Sequence, residues 1–365
     1  METDTLRLST TDIINGMCDW VRVIDKDDNI LFANRAMSQE LGNNLVGKKC
    51  YRSLGKCIPC ENCISRKAVF EGATHIKEEV VGDRYFSVLC SPVRNQHGEI
   101  FAVVEVFRDI TETRKLQKQI LLQNQKMKRD LESAKVLQTK LLPSRFKHSQ
   151  VNFSYIYKPC ESLGGDFLDI FTIDDDHIGV YIADVSGHGL TASMLTVYLY
   201  ATINKEILSP AAALDELFHD YAGSGFEDHY ITVFYAIYNT KNHSITYSNA
   251  GHSVCPIVYG NNRLEILRSS GIPISLWADK PHYTDLCMTL LPGDRLFLYT
   301  DGITEVWDKE NHQFSEEKLI NMLLKENASS KETLDQILQS IYDFSGNHEN
   351  DSFCDDITMA ILEVL

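Results

Sequence analysis

The stretch LYTDGITEV, Leu298 to Val306, carries the first decision about this chain. An apolar, strand-like run ends in Asp301 beside Gly302, and a polar, then apolar stretch follows. One explanation is a turn, because Asp-Gly is common turn chemistry. The other is that a strand delivers a carboxylate to a site and the glycine keeps the space beside it clear. One occurrence leaves both open. Three more stretches bear on the choice. ESLGGDFLDIF places Asp166 after Gly164-Gly165, VYIADVSGHG ends an apolar run at Asp184, and FCDDITMAILEVL begins one with Asp355-Asp356.

A strand end is rigid, so a carboxylate there is held in place. Four such groups pointing at one spot would repel each other strongly unless cations sit among them. Oxygen-only ligands suit hard ions such as Mg²⁺ and Mn²⁺. Two such ions ~4 Å apart can lower the pKa of a bridging water and hold a phosphoryl oxygen. Four unrelated surface turns are the alternative. That reading suits any one site, but not four in order beside strands.

Outward from these motifs, 143–365 alternates blocks of strands and helices. Strands are expected at 151–158, 167–173, 177–184, 229–238, 244–249, 254–259, 263–268, 286–291, 294–300 and 356–363. Helices are expected at 188–207, 210–221, 315–326 and 331–344. Short turns such as Asn239 to His243 join several strands, which means antiparallel pairing. Strand blocks with grouped helices predict an α+β domain with helices packed on sheets, not a doubly wound parallel fold.

Residues 112–142 differ: they contain no glycine or proline, and helix formers dominate until Pro143 stops the run. Thr113, Leu116, Ile120, Gln123, Met127, Asp130, Ala134, Leu137 and Leu141 recur at spacings of three and four. That is a heptad seam, made imperfect by Gln123 and Asp130. It predicts a coiled-coil linker joining two protomers in a homodimer, the alternative being an amphipathic helix lying on its own domain. Residues 1–111 read as short strands with turns at Asp27-Asp28-Asn29 and at Asn95 to Gly98.

The chain has 365 residues and a net charge of -16, which argues against a nucleic-acid partner. No apolar run approaches the ~18 residues of a membrane span. METDTLRLST lacks a signal peptide's basic start and apolar stretch, so a cytoplasmic location is expected. Ten cysteines would be reduced there, and a cluster of them points to metal or redox chemistry. Cys50, Cys57, Cys60 and Cys63 form such a cluster in CYRSLGKCIPCENC. They resemble the start of a ferredoxin run without its ending, and they lack the separated knuckles of common zinc sites. An Fe–S cluster or Zn, with Cys50 or Cys90 as fourth ligand, is one expectation; free thiols or a reversible disulfide are the others. Cys18, Cys160, Cys255, Cys287 and Cys354 are dispersed and read as core or incidental residues.

VIDKDDNILFANRA, SPVRNQHGEI and the closing RDITE, in that order, resemble a PAS sensor domain over 1–111. LGGDFLD, ADVSGHG, NAGH (249–252), YTDGITE and DDIT (355–358) together resemble the type 2C-like serine phosphatases of the stage II sporulation protein E class. That class includes regulators of general stress sigma factors. VLQTKLLP is similar to its preface to the domain. The resemblance implies a two-metal site in which Asp184 bridges both ions and Val185 adds its backbone carbonyl. Asp166, Asp301 and Asp355 would complete the shells, with Asp356 as the alternative to Asp355. The substrate implied is a phosphorylated STAS-type anti-sigma-factor antagonist. Leu168 stands where Tyr is common, and GIPISLW (271–277) replaces a more usual Gly-x-Pro-Leu-Gly run. Both departures touch substrate preference more than chemistry.

His188, four residues after Asp184, could protonate a leaving serine oxygen or order a metal-bound water, or it could only cap or support the site. His252 is expected to hold a loop. The reading is therefore a PAS-regulated, Mn²⁺- or Mg²⁺-dependent protein serine/threonine phosphatase. The rivals are a non-catalytic adaptor with the same fold, and a redox or metal sensor centred on the cysteines.

Overall fold

The computed structural model describes residues 9–144, 146–223, 225–226, 228–261, 263–277, 281–324, 328–346 and 353–365. The chain divides into two compact units, Met1–Lys126 and Met127–Leu365.

The first unit contains α1 (Thr10–Asn15), β1 (Trp20–Asp25), β2 (Ile30–Ala33), α2 (Arg35–Leu41), α3 (Cys50–Ser53), α4 (Ile64–Glu71), β3 (His75–Val81), β4 (Arg84–Arg94) and β5 (Ile100–Asp109). Its antiparallel sheet has the order β2-β1-β5-β4-β3. Asp28 takes φ 66° in the turn between β1 and β2, a conformation that aspartate tolerates better than most residues. Trp20, Ile24, Phe86, Val88 and Phe107 form a core with Met37, Ile64 and Ala68 from the helices. A buried ion pair, Arg22 to Glu105 at 2.7 Å, lies within the unit. The arginine also donates to the Cys50 carbonyl at 2.8 Å and to Ser53 Oγ at 2.9 Å.

A helix, α5 (Thr111–Leu141), spans the stretch that reads as linker in the sequence. Leu116, Ile120, Met127 and Leu137 of its seam are exposed. Gln138 is its buried residue.

The second unit follows as β6 (Val151–Lys158), β7 (Asp166–Thr172), β8 (His177–Val185), α6 (Leu190–Thr202), α7 (Pro210–Tyr221), β9 (Ile231–Asn239), β10 (Ser244–Ala250), β11 (Ile257–Gly260), β12 (Arg263–Ile266), β13 (Leu286–Thr289) and β14 (Arg295–Tyr299). It closes with α8 (Glu316–Leu323), α9 (Ser330–Ser345) and β15 (Ile357–Val364). Two five-stranded antiparallel sheets result, β13-β10-β9-β8-β7 and β12-β11-β14-β15-β6. On β14 the period of two sorts the side chains. Leu296 and Leu298 enter the core that holds Phe167, Ile182 and Phe234 of the other sheet. Phe297 and Tyr299 enter a second core with Leu319, Leu323, Leu334, Ile337 and Ile341 of α8 and α9. Helices therefore pack on antiparallel sheets, as the strand and helix blocks predict. Among the described residues, no helix is long and apolar enough to cross a membrane.

Candidate metal centre

The sheets bring the aspartates together at their strand ends. Asp166 opens β7 and stands directly opposite Asp184 near the end of β8. From the other sheet, Thr300 follows β14 and donates its Oγ1 hydrogen to Asp166 Oδ2 at 2.7 Å. Asp301 begins a short 3-10 turn, Asp301–Ile303, and accepts a hydrogen bond from Ser253 Oγ at 2.8 Å.

Asp355 and Asp356 precede β15 and have different surroundings. Asp356 is buried, and its carboxylate accepts from the backbone N–H groups of Cys160 at 2.7 Å, Gly165 at 2.6 Å and Asp166 at 3.1 Å. It therefore clamps the Gly164-Gly165-Asp166 loop. Asp355 is half-buried. Gly302 answers the opening question about Asp-Gly in geometric terms: a Cβ there would lie 1.9 Å from the Asp356 carbonyl oxygen. The glycine lets the Asp301 turn press against the start of β15. Gly165 plays a similar part, since a Cβ there would meet the Val185 carbonyl at 2.9 Å. Val185 itself ends β8 with a buried side chain.

The crowding has an electrostatic signature. Burial, with Asp184 and Asp356 beside it, pushes the Asp166 carboxyl well above the usual carboxylate range. Asp184 is pushed up to about 7, first by burial and then by Asp301, Asp355, Asp356 and Glu305. Burial also raises Asp355, with Asp356 and Asp301 adding to the effect. These groups favour a bound proton or a cation. The donors are hard oxygens, so the residues fit Mg²⁺ or Mn²⁺.

His188 is exposed and pairs through Nδ1 with Glu161 Oε1 at 2.9 Å. It lies just before α6, whose N-cap is Gly189. His252 is buried. Its Nε2 donates to the Tyr299 carbonyl at 2.9 Å, its backbone N–H donates to Asn249 Oδ1 at 2.6 Å, and its Nδ1 lies 3.3 Å from Thr232 Oγ1. It ties the NAGH loop to the end of β14.

Several contributors escape the sequence reading. Glu305 stands four residues after Asp301, a spacing that could have marked it, and Asp301 and Asp355 raise its carboxyl after burial does. Glu161 carries no signal beyond a charge before the glycine pair. Gln138 of α5 donates to the Gly164 carbonyl at 2.7 Å and to Thr196 Oγ1 at 3.1 Å, and its Oε1 accepts from the Gly164 N–H at 3.3 Å. The end of the long helix thus grips the loop that leads into Asp166. Cys160 has one notable neighbourhood. It reads as incidental in the sequence, yet among the described residues its Sγ and oxygens of Asp355 and Asp356 form the one group of three potential ligand atoms within 4.8 Å of each other.

The expectation of a metal or cluster at Cys50, Cys57, Cys60 and Cys63 fares differently. No three of these sulfurs come within that distance, and neither do any three of Asp166, Asp184, Asp301 and Asp355; the aspartates differ in acting on one another's carboxyls. Cys50 is buried at the start of α3 and joins the core, Cys57 is exposed, and Cys63 is the N-cap of α4. Cys63 still lies near enough to Cys50 and Cys90 to raise both thiols, after burial does.

A two-sheet, helix-flanked fold with a carboxylate centre at its strand ends is the type 2C-like phosphatase architecture. It matches the SiaA-PP2C domain of Pseudomonas aeruginosa with a TM-score of 0.59 and 19% identity, over 66% of this chain and 98% of that one. Residues 15–115 match the PAS fold, and residues 174–365 match the family described as Stage II sporulation protein E (SpoIIE). The chain belongs to the SpoIIE family. It is 28% identical to the phosphoserine phosphatase RsbP of Bacillus subtilis (strain 168), a match covering 49% of this chain and 46% of RsbP. It is 26% identical to the phosphoserine phosphatase RsbU of the same organism, over 65% of this chain and 71% of RsbU. The first of these matches thus spans less than half of the relative's length.

Proposed function

We propose that the chain is a metal-dependent protein serine/threonine phosphatase controlled by its PAS unit. The observation that carries this reading is the Asp166–Asp184 strand pair, joined across the sheets by Thr300 and crowded by Asp301 and Asp355. Asp184 would be shared between two ions, with Asp166, Asp301, Asp355 and the Val185 carbonyl completing the set. Asp355 is favoured over Asp356 as a ligand because three N–H groups already occupy the Asp356 carboxylate. Bound Mn²⁺ or Mg²⁺ would supply Lewis acidity and water activation for hydrolysis of a phosphate monoester.

This chain's residues do the rest. Thr300 fixes the Asp166 oxygen, Asp356 fixes the loop, and His252 fixes the strand end before Asp301. His188, exposed and paired with Glu161, would pass a proton to a departing serine oxygen. The kinship with RsbP and RsbU supports a phosphoserine protein as substrate, and the class resemblance points to a STAS-type anti-sigma-factor antagonist in the cytosol. The exposed seam of α5 supports a homodimer formed through a coiled coil.

The test is hydrolysis of an aryl phosphate and of a phosphoserine antagonist by the full chain, with Mn²⁺ and with chelator. Turnover that needs the ion supports the reading. A folded chain that binds the phosphoprotein but never hydrolyses either substrate would make it an adaptor. Sedimentation at micromolar concentration tests the dimer, and a strict monomer would remove the coiled coil.

A further inference from the structure

The cysteine stretch holds no convergent metal set, but it holds a different constellation. Cys60 is half-buried, and two ammonium groups approach its sulfur: Lys56 Nζ at 3.5 Å and Lys77 Nζ at 3.9 Å. Neither lysine is there by chance of a loose surface chain. Glu79 binds both, at 2.5 Å each, and its own side chain is only 11% exposed. Lys77 and Glu79 lie two apart on β3 and so share one face of the strand. Lys56 comes from the loop after α3. Two positive charges against one carboxylate leave a positive surrounding for the sulfur. Among the described residues, no other cysteine sulfur accepts a bond from an ammonium group.

We propose that Cys60 is a modification site, the thiol of this chain that reacts first with soft electrophiles and hydroperoxides. Attack puts the reacting charge on sulfur, and Lys56 and Lys77 stand where they can neutralise it. Cys63, the partly buried N-cap of α4 near Arg66, is the chief competitor; the remaining thiols lack one requirement or the other. Cys50 and Cys90 are buried, with their thiols pushed up to about 12 by burial. Cys18, Cys57, Cys287 and Cys354 are exposed, and among the described residues none of them accepts a bond from an ammonium group. With hydrogen peroxide, the Cys60 sulfur attacks one peroxide oxygen. An S–O bond forms and the O–O bond breaks. Hydroxide leaves and takes a proton from solvent to become water. The sulfur, now a sulfenic acid, has lost two electrons and the peroxide has gained them.

The experiment is competition within one molecule. The full chain is treated with substoichiometric iodoacetamide near neutral pH, and each cysteine's labelling rate is read by peptide mass spectrometry. Exposure alone ranks Cys57 ahead of Cys60, whereas the lysine arrangement ranks Cys60 first. In the Lys56→Gln, Lys77→Gln double variant, Cys60 labelling should slow roughly tenfold while Cys57 stays within about twofold of its native rate. Lys77→Arg should keep most of the native rate, because it keeps the charge. Cys50 and Cys90 report on folding by staying unlabelled. If a variant exposes them, the ranking in the native chain decides alone. A ranking that follows exposure, or a Cys60 rate unmoved in a folded double variant, overturns the proposal. Dimedone trapping after peroxide should mark Cys60 before any other cysteine, and marking elsewhere first would count equally against it.

Discussion

The carboxylates and the cysteines are clusters of opposite kinds. Asp166, Asp184, Asp301 and Asp355 are far apart in the chain, yet strand register sets Asp166 opposite Asp184, and Asp301 and Asp355 lie near enough to raise the Asp184 carboxyl. Cys50, Cys57, Cys60 and Cys63 are neighbours in sequence, yet they are divided between a core, a solvent-exposed turn and a helix cap. Nearness in sequence places nothing unless the backbone between the residues is regular. Strand ends are regular, and their pairing fixes where a side chain sits to within a residue. The loop between α3 and α4 has no such register, so its cysteines answer to local contacts, among them the lysines beside Cys60.

The sharpest way to break this contrast is Asp184→Asn. It should lower Mn²⁺-dependent turnover by ~10³-fold or more, the scale on which a lost electrostatic group at a reacting centre is felt. Circular dichroism should stay native. Near-native activity in a folded variant would remove the carboxylates from the chemistry.

Gly302→Ala comes next. Its methyl group would meet the Asp356 carbonyl, so the Asp301 turn and the start of β15 must part. Stability should fall by ~1–3 kcal/mol in urea unfolding, with activity falling as well.

A third test uses pH. The folded-state carboxyl of Asp184 lies above its ordinary value of 3.8, at about 7, and Asp166 shifts in the same direction. The folded, metal-free chain therefore holds protons that the unfolded chain releases. The stability contributed by these protonated groups is present at low pH and lost as pH rises through about 7. In chelator, the melting temperature should drop over that range more in the native chain than in Asp184→Asn. Added Mn²⁺ should restore it in the native chain.

The smallest effect is expected at the cysteines. Changing Cys57, Cys60 and Cys63 together to Ser should leave bound metal and aryl phosphatase activity unchanged. The stability change should stay within about 0.5 kcal/mol, as for most surface positions. Zinc or iron lost with the substitution would restore the metal reading of that stretch.

Much of this was legible. β6 matches its expected bounds at 151–158, because alternating apolar residues leave little choice of register. The four aspartate stretches were visible because each joins a carboxylate to glycines or a strand. β3, HIKEEVV, was not, for a physical reason: Ile76 and Val80 face solvent, while Lys77 and Glu79 are the less exposed face. That inverts the usual pattern, and the inverted residues are the ones gathered around Cys60. α6 is shorter than the expected 188–207 because Gly189, at φ 83°, stands outside it and Ile203 turns to extended backbone. Asp355 and Asp356 could not be told apart, since only the N–H groups of a distant loop distinguish them. Gln138 was invisible for a similar reason: its partners are backbone groups with no side-chain signature.

The most direct test of the central claim is a Mn²⁺-soaked crystal of the full chain, examined for anomalous scattering at the manganese edge. The account predicts manganese peaks among Asp166, Asp184, Asp301 and Asp355, with Asp184 shared, and none at Cys57, Cys60 or Cys63. Manganese absent from the aspartates at saturating concentration would contradict it.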